Sequence, residues 1–411
     1  MERLVSLFGL LVFVAIAYAL SINRKAVIWK PVLWGIALQF IFAVLILRTP
    51  VGLQVFQFLG DGVTRFLDFS DAGASFVFGE NFRDFFFAFK VLPTVIFFSA
   101  FISLLYHYNI LQRIVAALAR VMMRFMGTSG SESLSCAGNI FVGQTEAPLL
   151  IKPYVATATM SELHAIMAGG FATIAGGVMA AYISFGVSAV HLIAASVMSA
   201  PAALAISKIM YPETEDSPTR GSVSVKVEKA SVNGIDAVTS GAIDGLKLVL
   251  NIGAMLIAFL GLLAMFNALL GWVGSWFNQP QISLEWLMSY LLAPVAWLMG
   301  VPWADCGQVG VLLGKKTILN EFIAYLDLKT LIDNAANTAD ATLPRISDRA
   351  IIIATYALCG FSNIGSIGIQ IGGIGGIAPN RQADLARIGF RAMIAGSLAC
   401  FMTAAIAGIL L

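Results

Sequence analysis

The sequence predicts an all-α integral membrane protein with eight transmembrane helices, two re-entrant helical hairpins, interfacial amphipathic helices and discontinuous helices at a binding site. Three observations predict it. Of 411 residues only 12% are charged and 59% are hydrophobic, with a mean hydropathy of +0.86, whereas an ordinary soluble domain is about 25% charged. Charge-free runs recur at the ~20 residues that a helix needs to cross the hydrocarbon core. Two further apolar segments are interrupted by Gly, Pro and charge, and non-helical backbone at membrane depth is tolerated only where it is buried in protein or lines a water-filled cavity.

The first span is Leu4 to Ile22. It lacks a small-residue cleavage site and is followed almost at once by Val32 to Leu47, so it reads as a retained span rather than a signal peptide. The third is Phe85 to Tyr108. Residues 109–126 alternate basic and apolar faces, the pattern of an amphipathic helix lying at the interface. Residues 127–156, with Gly138, Gly143, Glu146 and Pro148, read as the first hairpin. Ala165 to Ser207 contains no Asp, Glu, Lys or Arg, which is too long for one span and fits two joined around Gly186, Val187 and Ser188. A polar loop over 211–233 precedes the sixth span, Leu248 to Phe277. Residues 286–327, with Pro294, Pro302, Asp305, Gly307, Gly314 and Glu321, read as the second hairpin; the alternative is that the charge-free run Trp286 to Ala304 is one more complete span. Ile351 to Ile371 and Ala392 to Leu411 close the set.

Lys and Arg near span ends collect on the cytoplasmic side. Eight spans place Arg24, Lys25, Lys30, the arginines of 109–126, Lys208, Arg220, Lys226, Lys229, Arg381, Arg387 and Arg391 on one side. The other side receives mixed, acid-leaning loops, first Asp61 to Asp84 and then Asp327, Asp333, Asp340 and Asp348 against Lys329, Arg345 and Arg349. Both termini then lie outside. The net charge of +2 offers no footprint for nucleic acid. The four cysteines (Cys136, Cys306, Cys359, Cys400) have no C-x-x-C spacing and read as packing residues. His107, His164 and His191 read as interfacial, and Trp272, Trp276 and Trp286 as interface anchors. No catalytic Asp pair, H-E-x-x-H helix or nucleophilic Ser with a base is evident, so the sequence does not read as an enzyme.

Each hairpin precedes a span with its own break, F-A-T-I-A-G-G-V at 171–178 and C-G-F-S-N-I-G-S-I-G at 359–368. Paired interruptions in two halves point to a transporter site between the repeats. Glu146 and Glu321 are carboxylates at membrane depth, where such residues usually face a cavity and carry function; the alternative is a structural acid paired with Lys152, or with Lys315 and Lys316. Gln144, Thr145, Asn363 and Ser366 complete the candidate lining, and no Arg accompanies them. An anionic solute would call for guanidinium. The lining therefore favours a neutral, hydroxyl- or amide-rich molecule: a carboxylate accepts from the two hydroxyls of a diol, and Gln144 matches a donor/acceptor edge such as a nucleobase offers. Phe361 could pack on a flat ring. Asn139 and Thr173 beside broken helices offer oxygen ligands that suit Na⁺, or equally hydrogen bonds between helices.

G-Q-T-E-A-P-L-L-I-K-P-Y (143–154), F-A-T-I-A-G-G-V-M-A-A-Y-I-S-F-G (171–186), N-E-F-I-A-Y (320–325) and C-G-F-S-N-I-G-S-I-G (359–368) resemble the concentrative nucleoside transporter family, in its bacterial, eight-span branch. The resemblance implies a homotrimer in the bacterial cytoplasmic membrane with periplasmic termini, importing nucleosides such as uridine with a cation gradient by an elevator motion. It implies a scaffold over residues 1–126 and the sixth span at 247–277. The transport part is then 127–210, with the first hairpin and spans four and five, and 286–411, with the second hairpin and spans seven and eight; 211–246 is a cytoplasmic loop. Gln144, Thr145, Glu146 and Val178 would meet the base; Glu321, Asn363 and Ser366 the ribose; Phe361 would line the same pocket. Asn139, Thr173 and the carbonyls of Val142 and Ile174 would hold the coupling Na⁺. Retention of that set favours Na⁺ over the proton coupling of some relatives. The remaining alternative is a two-hairpin transporter for another small polar solute. Gly177 stands where many relatives carry Ser, which leaves fine base selectivity open.

Overall fold

The computed structural model describes residues 1–221, 231–279, 281–336 and 342–411; Lys226, Lys229 and Asp340 of the charge map lie outside them. The described residues are helical and carry no strand. α1 (Glu2–Ala19) and α2 (Trp29–Leu47) form the first two spans. α3 (Pro50–Asp68) and α4 (Ser70–Phe78) fill a stretch whose charge pattern predicts an acid-leaning loop. The reason is local: the Thr49 hydroxyl accepts from the Gly52 N–H at 2.9 Å, and Pro50 occupies the first turn, where its missing N–H is not needed.

One π-helical turn, Phe86–Val91, leads into α5 (Leu92–His107). α6 (Ile110–Met126) is the amphipathic helix expected, burying Leu111, Val115, Ala119, Met122 and Met126 at helical spacing with Arg113, Arg120 and Arg124 exposed. The first hairpin pairs α7 (Gly130–Gly138) with a 3₁₀ turn, Ala147–Ile151, that runs into α8 (Lys152–Val155). α9 (Met160–Ala172) and α10 (Gly176–Ser184) are two halves of one interrupted span, and Gly186, at φ 89°, turns the chain into α11 (Ala189–Met210). α12 (Gly234–Ser275) is the sixth span, 42 residues long and so well beyond what crossing requires.

The second hairpin differs from expectation. Residues 284–304 form neither part of it nor a complete span, because α13 (Leu284–Leu291) and α14 (Ala293–Leu298) are separated at Leu292, just before Pro294, and the chain turns again at Gly300, φ 89°, and Pro302. The hairpin itself is α15 (Cys306–Ile318) and α16 (Glu321–Ala336), ending at 336 rather than 327. α17 (Asp348–Leu358) and α18 (Ile364–Ile377) are the halves of the second interrupted span, and α19 (Gln382–Leu410) ends the fold. Among the described residues seven helical segments are long and apolar enough to cross a membrane, the pair α9 and α10 counting as one. The eighth predicted span is α17 and α18, each half too short to qualify alone.

Burial differs sharply among the spans. Met160–Ser184, Ala189–Met210 and Pro379–Leu410 are 83%, 78% and 72% buried, whereas Phe86–His107 and Gly234–Ser275 are each 17% buried. α11 lies against α2, α9 and α19, and α1 lies against α19. α12 lies along α5 at close range, because a Cβ at Gly241 or Gly245 would stand 2.5 Å from Ser103 Oγ or 2.8 Å from Ile96 Cα. Small residues that let backbones approach are the usual means of helix association in lipid.

The end of the core opposite the chain termini is held by a buried polar knot. Ser129 with Glu132, and Thr159 with Glu162, form reciprocal caps at the starts of α7 and α9. Lys208 of α11 pairs with Glu132 at 2.6 Å and donates to Ser161 at 2.8 Å. Glu162 accepts from Ser131, Ser217 and Thr219, which ties the start of the polar loop down. His164, expected at an interface, is fully buried against Ser207 at 2.7 Å. Removing one partner of a buried ion pair strands the other, at about 3–5 kcal/mol. Lys208→Met should therefore lower the melting temperature of the detergent-solubilised protein sharply, and adding Glu132→Gln should restore much of it; an unshifted melting curve in the single variant would show that the pair contributes nothing.

Candidate functional site

Both interrupted spans break next to each other and to the first hairpin's tip. α9 stops at Ala172, Thr173 is extended at φ −126° and ψ 168°, and α10 restarts at Gly176. Helix ends inside a core leave backbone groups unpaired unless something else meets them. Here the two breaks meet each other: the Phe361 N–H donates to the Thr173 carbonyl at 3.1 Å and Ser362 Oγ to the Phe171 carbonyl at 2.7 Å. The Gly176 N–H donates to the Phe141 carbonyl of the hairpin tip at 3.1 Å. In the second break Asn363 caps α18, its Oδ1 accepting from the Ser366 N–H at 2.8 Å.

Around this knot runs a buried chain of polar side chains. Gln144 Nε2 donates to Ser366 Oγ at 3.2 Å, and Gln370 Nε2 donates to Gln144 Oε1 at 3.0 Å. Glu321, in the first turn of α16, accepts from Asn363 Nδ2 at 3.2 Å and from the Tyr182 hydroxyl at 3.1 Å. Neither lysine offered as its structural partner reaches it: Lys316 donates to the Ala357 carbonyl at 2.8 Å, and Lys315 pairs with Asp327 at 2.7 Å and Glu285 at 3.5 Å. The carboxylate is thus hydrogen-bonded by neutral donors at a helix N-terminus, with no described cation in direct contact.

Of the residues singled out in the sequence, Gln144, Glu321, Asn363 and Ser366 are thus joined by hydrogen bonds between both hairpins and the second break. Val178 is buried in the first turn of α10, and Phe361 is half-buried in the second break. Thr145 is half-buried against α18, where a Cβ at Gly373 would stand 2.6 Å from its methyl. Glu146 stands apart: its side chain is exposed and folds back to accept from the Gly143 N–H of its own turn. It has no ion pair with Lys152 or any other described residue. Two members of the polar chain, Tyr182 and Gln370, escaped the sequence reading. Each lies four residues beyond a named candidate, Val178 and Ser366, and so on the same helical face; that spacing was the available signal.

The candidate ion ligands come from the first hairpin and the first break. Asn139, 1% exposed, donates through Nδ2 to the Ser135 carbonyl at 3.1 Å, while its Oδ1 is buried with no hydrogen-bond partner. Thr173 Oγ1, equally buried, donates to the Gly169 carbonyl at 2.8 Å and keeps its lone pairs free. Val142 and Ile174 lie in the two non-helical stretches, and no described residue donates a hydrogen bond to either carbonyl. An orphaned buried oxygen is destabilising by about 1–3 kcal/mol. A neutral, oxygen-only set of this kind fits Na⁺.

Known proteins bear on both the fold and the site. Residues 191–408 match the family described as Na⁺ dependent nucleoside transporter, C-terminus, and residues 8–81 the matching N-terminus. Residues 88–189 match a domain described as nucleoside recognition. Human solute carrier family 28 member 3 is 50% identical over all of this chain and 60% of its own length, and mouse sodium/nucleoside cotransporter 1 is 48% identical over all of this chain and 64% of its own length. The chain thus spans about three fifths of the length of the curated relatives it matches. A solved structure of a protein designated CNTnw, inward-facing and substrate-bound, superposes with a TM-score of 0.92 at 38% identity, over 100% of this chain and 98% of that one. A single-residue variant of that protein in an intermediate state superposes at 0.94.

Proposed function

Because the chain belongs to the Na⁺-dependent nucleoside transporter family, as its family matches and its full-length likeness to CNTnw show, we propose that it is a Na⁺-coupled nucleoside symporter importing uridine-like substrates by an elevator-type motion. The observation that carries this reading is the buried chain from Gln144 through Ser366 and Asn363 to Glu321 and Tyr182, beside the partnerless Asn139 oxygen. Glu321, with Asn363 and Ser366, is the ribose end; Gln144 and Thr145 are the base end, with Val178 and Phe361 as apolar walls. Glu146 has its carboxylate on the Gly143 N–H, and we assign it to shaping the tip turn, from which it reaches a base only by leaving that bond. Asn139, Thr173 and the carbonyls of Val142 and Ile174 take the ion.

We place α5 and α12 in the scaffold, with their largely exposed apolar faces toward lipid and two further copies in a homotrimer. The hairpins, α9 to α11 and α17 to α19 form the moving part. Because α1 and α2 pack on α19 and α11, we assign them to the moving part as well, in place of the scaffold role expected from sequence. The membrane is taken as a bacterial cytoplasmic membrane with periplasmic termini.

Glu321→Ala should weaken uridine binding by at least about 100-fold, since each hydrogen bond to a charged acceptor contributes about 1.5–3 kcal/mol; near-normal affinity measured by calorimetry would remove Glu321 from the site. Uridine affinity should rise with Na⁺ but not with choline at equal ionic strength, and Asn139→Ala should flatten that dependence more than it lowers affinity at saturating Na⁺. Indifference of the wild-type protein to Na⁺ in the same titration, with uptake driven by a pH gradient in liposomes, would point to proton coupling instead.

A further inference from the structure

Gln370 lies on α18 in the apolar stretch Ile367-Gly368-Ile369-Gln370-Ile371 and is fully buried. Both of its N–H groups are used: Nε2 donates to the Met167 carbonyl of α9 at 3.2 Å and to Gln144 Oε1 at 3.0 Å. Its own Oε1 has no hydrogen-bond partner. Room for the arrangement exists because residue 170 has no side chain; a Cβ there would stand 2.8 Å from Gln370 Nε2 and 3.0 Å from Gln144 Cβ. A buried amide with an unpaired oxygen is less stable than a Leu or Met of similar size in the same place. Packing alone therefore does not account for glutamine at 370.

The hydrogen bonds have a direction. A carbonyl oxygen only accepts, so Met167 fixes the Nε2 end of Gln370 toward α9. The second N–H on that nitrogen then faces Gln144, which must answer with its oxygen, leaving Gln144 Nε2 on the Ser366 side. Ser366 does not decide the matter, because a hydroxyl accepts or donates equally well. We propose that Gln370 is a positioning residue that sets the polarity of Gln144: through it the α9 backbone holds that amide with its N–H₂ toward the pocket, so that the pocket offers the base a donor rather than an acceptor. This rests on the nucleoside reading above. The favoured ligand is a nucleoside whose base presents a carbonyl oxygen there, such as uridine, over one that presents an amino group, such as cytidine.

The test is the ratio of cytidine to uridine dissociation constants, measured with the full chain in lipid nanodiscs at saturating Na⁺. The wild-type ratio favours uridine. Gln370→Leu lowers it roughly fivefold, the worth of one neutral hydrogen bond, while uridine affinity still rises with Na⁺. In a Gln144→Ala background the same substitution moves the ratio by less than about twofold, because Gln370 acts only through Gln144. If Gln370→Leu does not fold, Gln370→Met, unbranched and close to glutamine in length, carries the same comparison. A lower melting temperature with both nucleosides weakened alike and the ratio unmoved would make Gln370 a polar tie between α18 and α9 and overturn the inference, as would a wild-type preference for cytidine. A wild-type protein that binds neither nucleoside overturns the transport reading itself, a failure separable from an unmoved ratio in a protein that binds both.

Discussion

Two spans stop inside the protein, and each supplies the hydrogen bonds that the other's break leaves open. In hydrocarbon an unpaired peptide group costs several kcal/mol, so neither break is stable by itself. The bonds from Phe361 to Thr173 and from Ser362 to Phe171 make them one structure. The Gly176 bond to Phe141 recruits the first hairpin's tip into it. The polar chain from Gln144 to Glu321 is arranged around that joint.

The joint aims helix ends at a common centre. α10, α16 and α18 all begin there, and helix N-termini carry partial positive charge. That helps Glu321 stay buried without an ion pair: it sits in the first turn of α16 and takes hydrogen bonds from Tyr182 and Asn363. At the first break the non-helical backbone at Thr173 and Ile174 presents oxygen, and Asn139 has one more that no described residue pairs. The proposed function makes the first set acceptors for substrate hydroxyls and the second ligands for a cation. In the proposed symporter, an ion that orders the tip lowers the ordering cost left for the nucleoside, and linkage makes the effect reciprocal.

Around this centre the chain divides by burial. The first interrupted span with α11 and α19 is enclosed, while α5 and α12 pair closely through Gly241 and Gly245 and leave most of their surface outward. A polar knot at one end, built on Lys208 and Glu132, ties the start of the first hairpin to α11. Such a buried pair adds little net stability compared with apolar packing, but it penalises any arrangement that separates its members. The hairpin and α11 are therefore constrained to stay together.

The sequence by itself determined the fold class, the order of the spans, the amphipathic helix and four members of the polar chain. Hydropathy over ~20 residues, charge asymmetry and intramembrane carboxylates are properties of local composition. It misplaced what depends on neighbours. Residues 286–304 are apolar enough for a span, and only the turns at Leu292 and Gly300 show that they are two short helices outside the hairpin. His164 looked interfacial until Ser207 of another helix closed over it. Glu146 and Glu321 are indistinguishable as carboxylates in apolar runs, yet one turns back on its own loop and the other is gripped by two distant helices. Tyr182 and Gln370 sit at helical spacing from residues already named, but their roles lie in partners 139 and 226 positions away. Local pattern carries no record of such long-range hydrogen bonds, which exist only once the two breaks have been packed together.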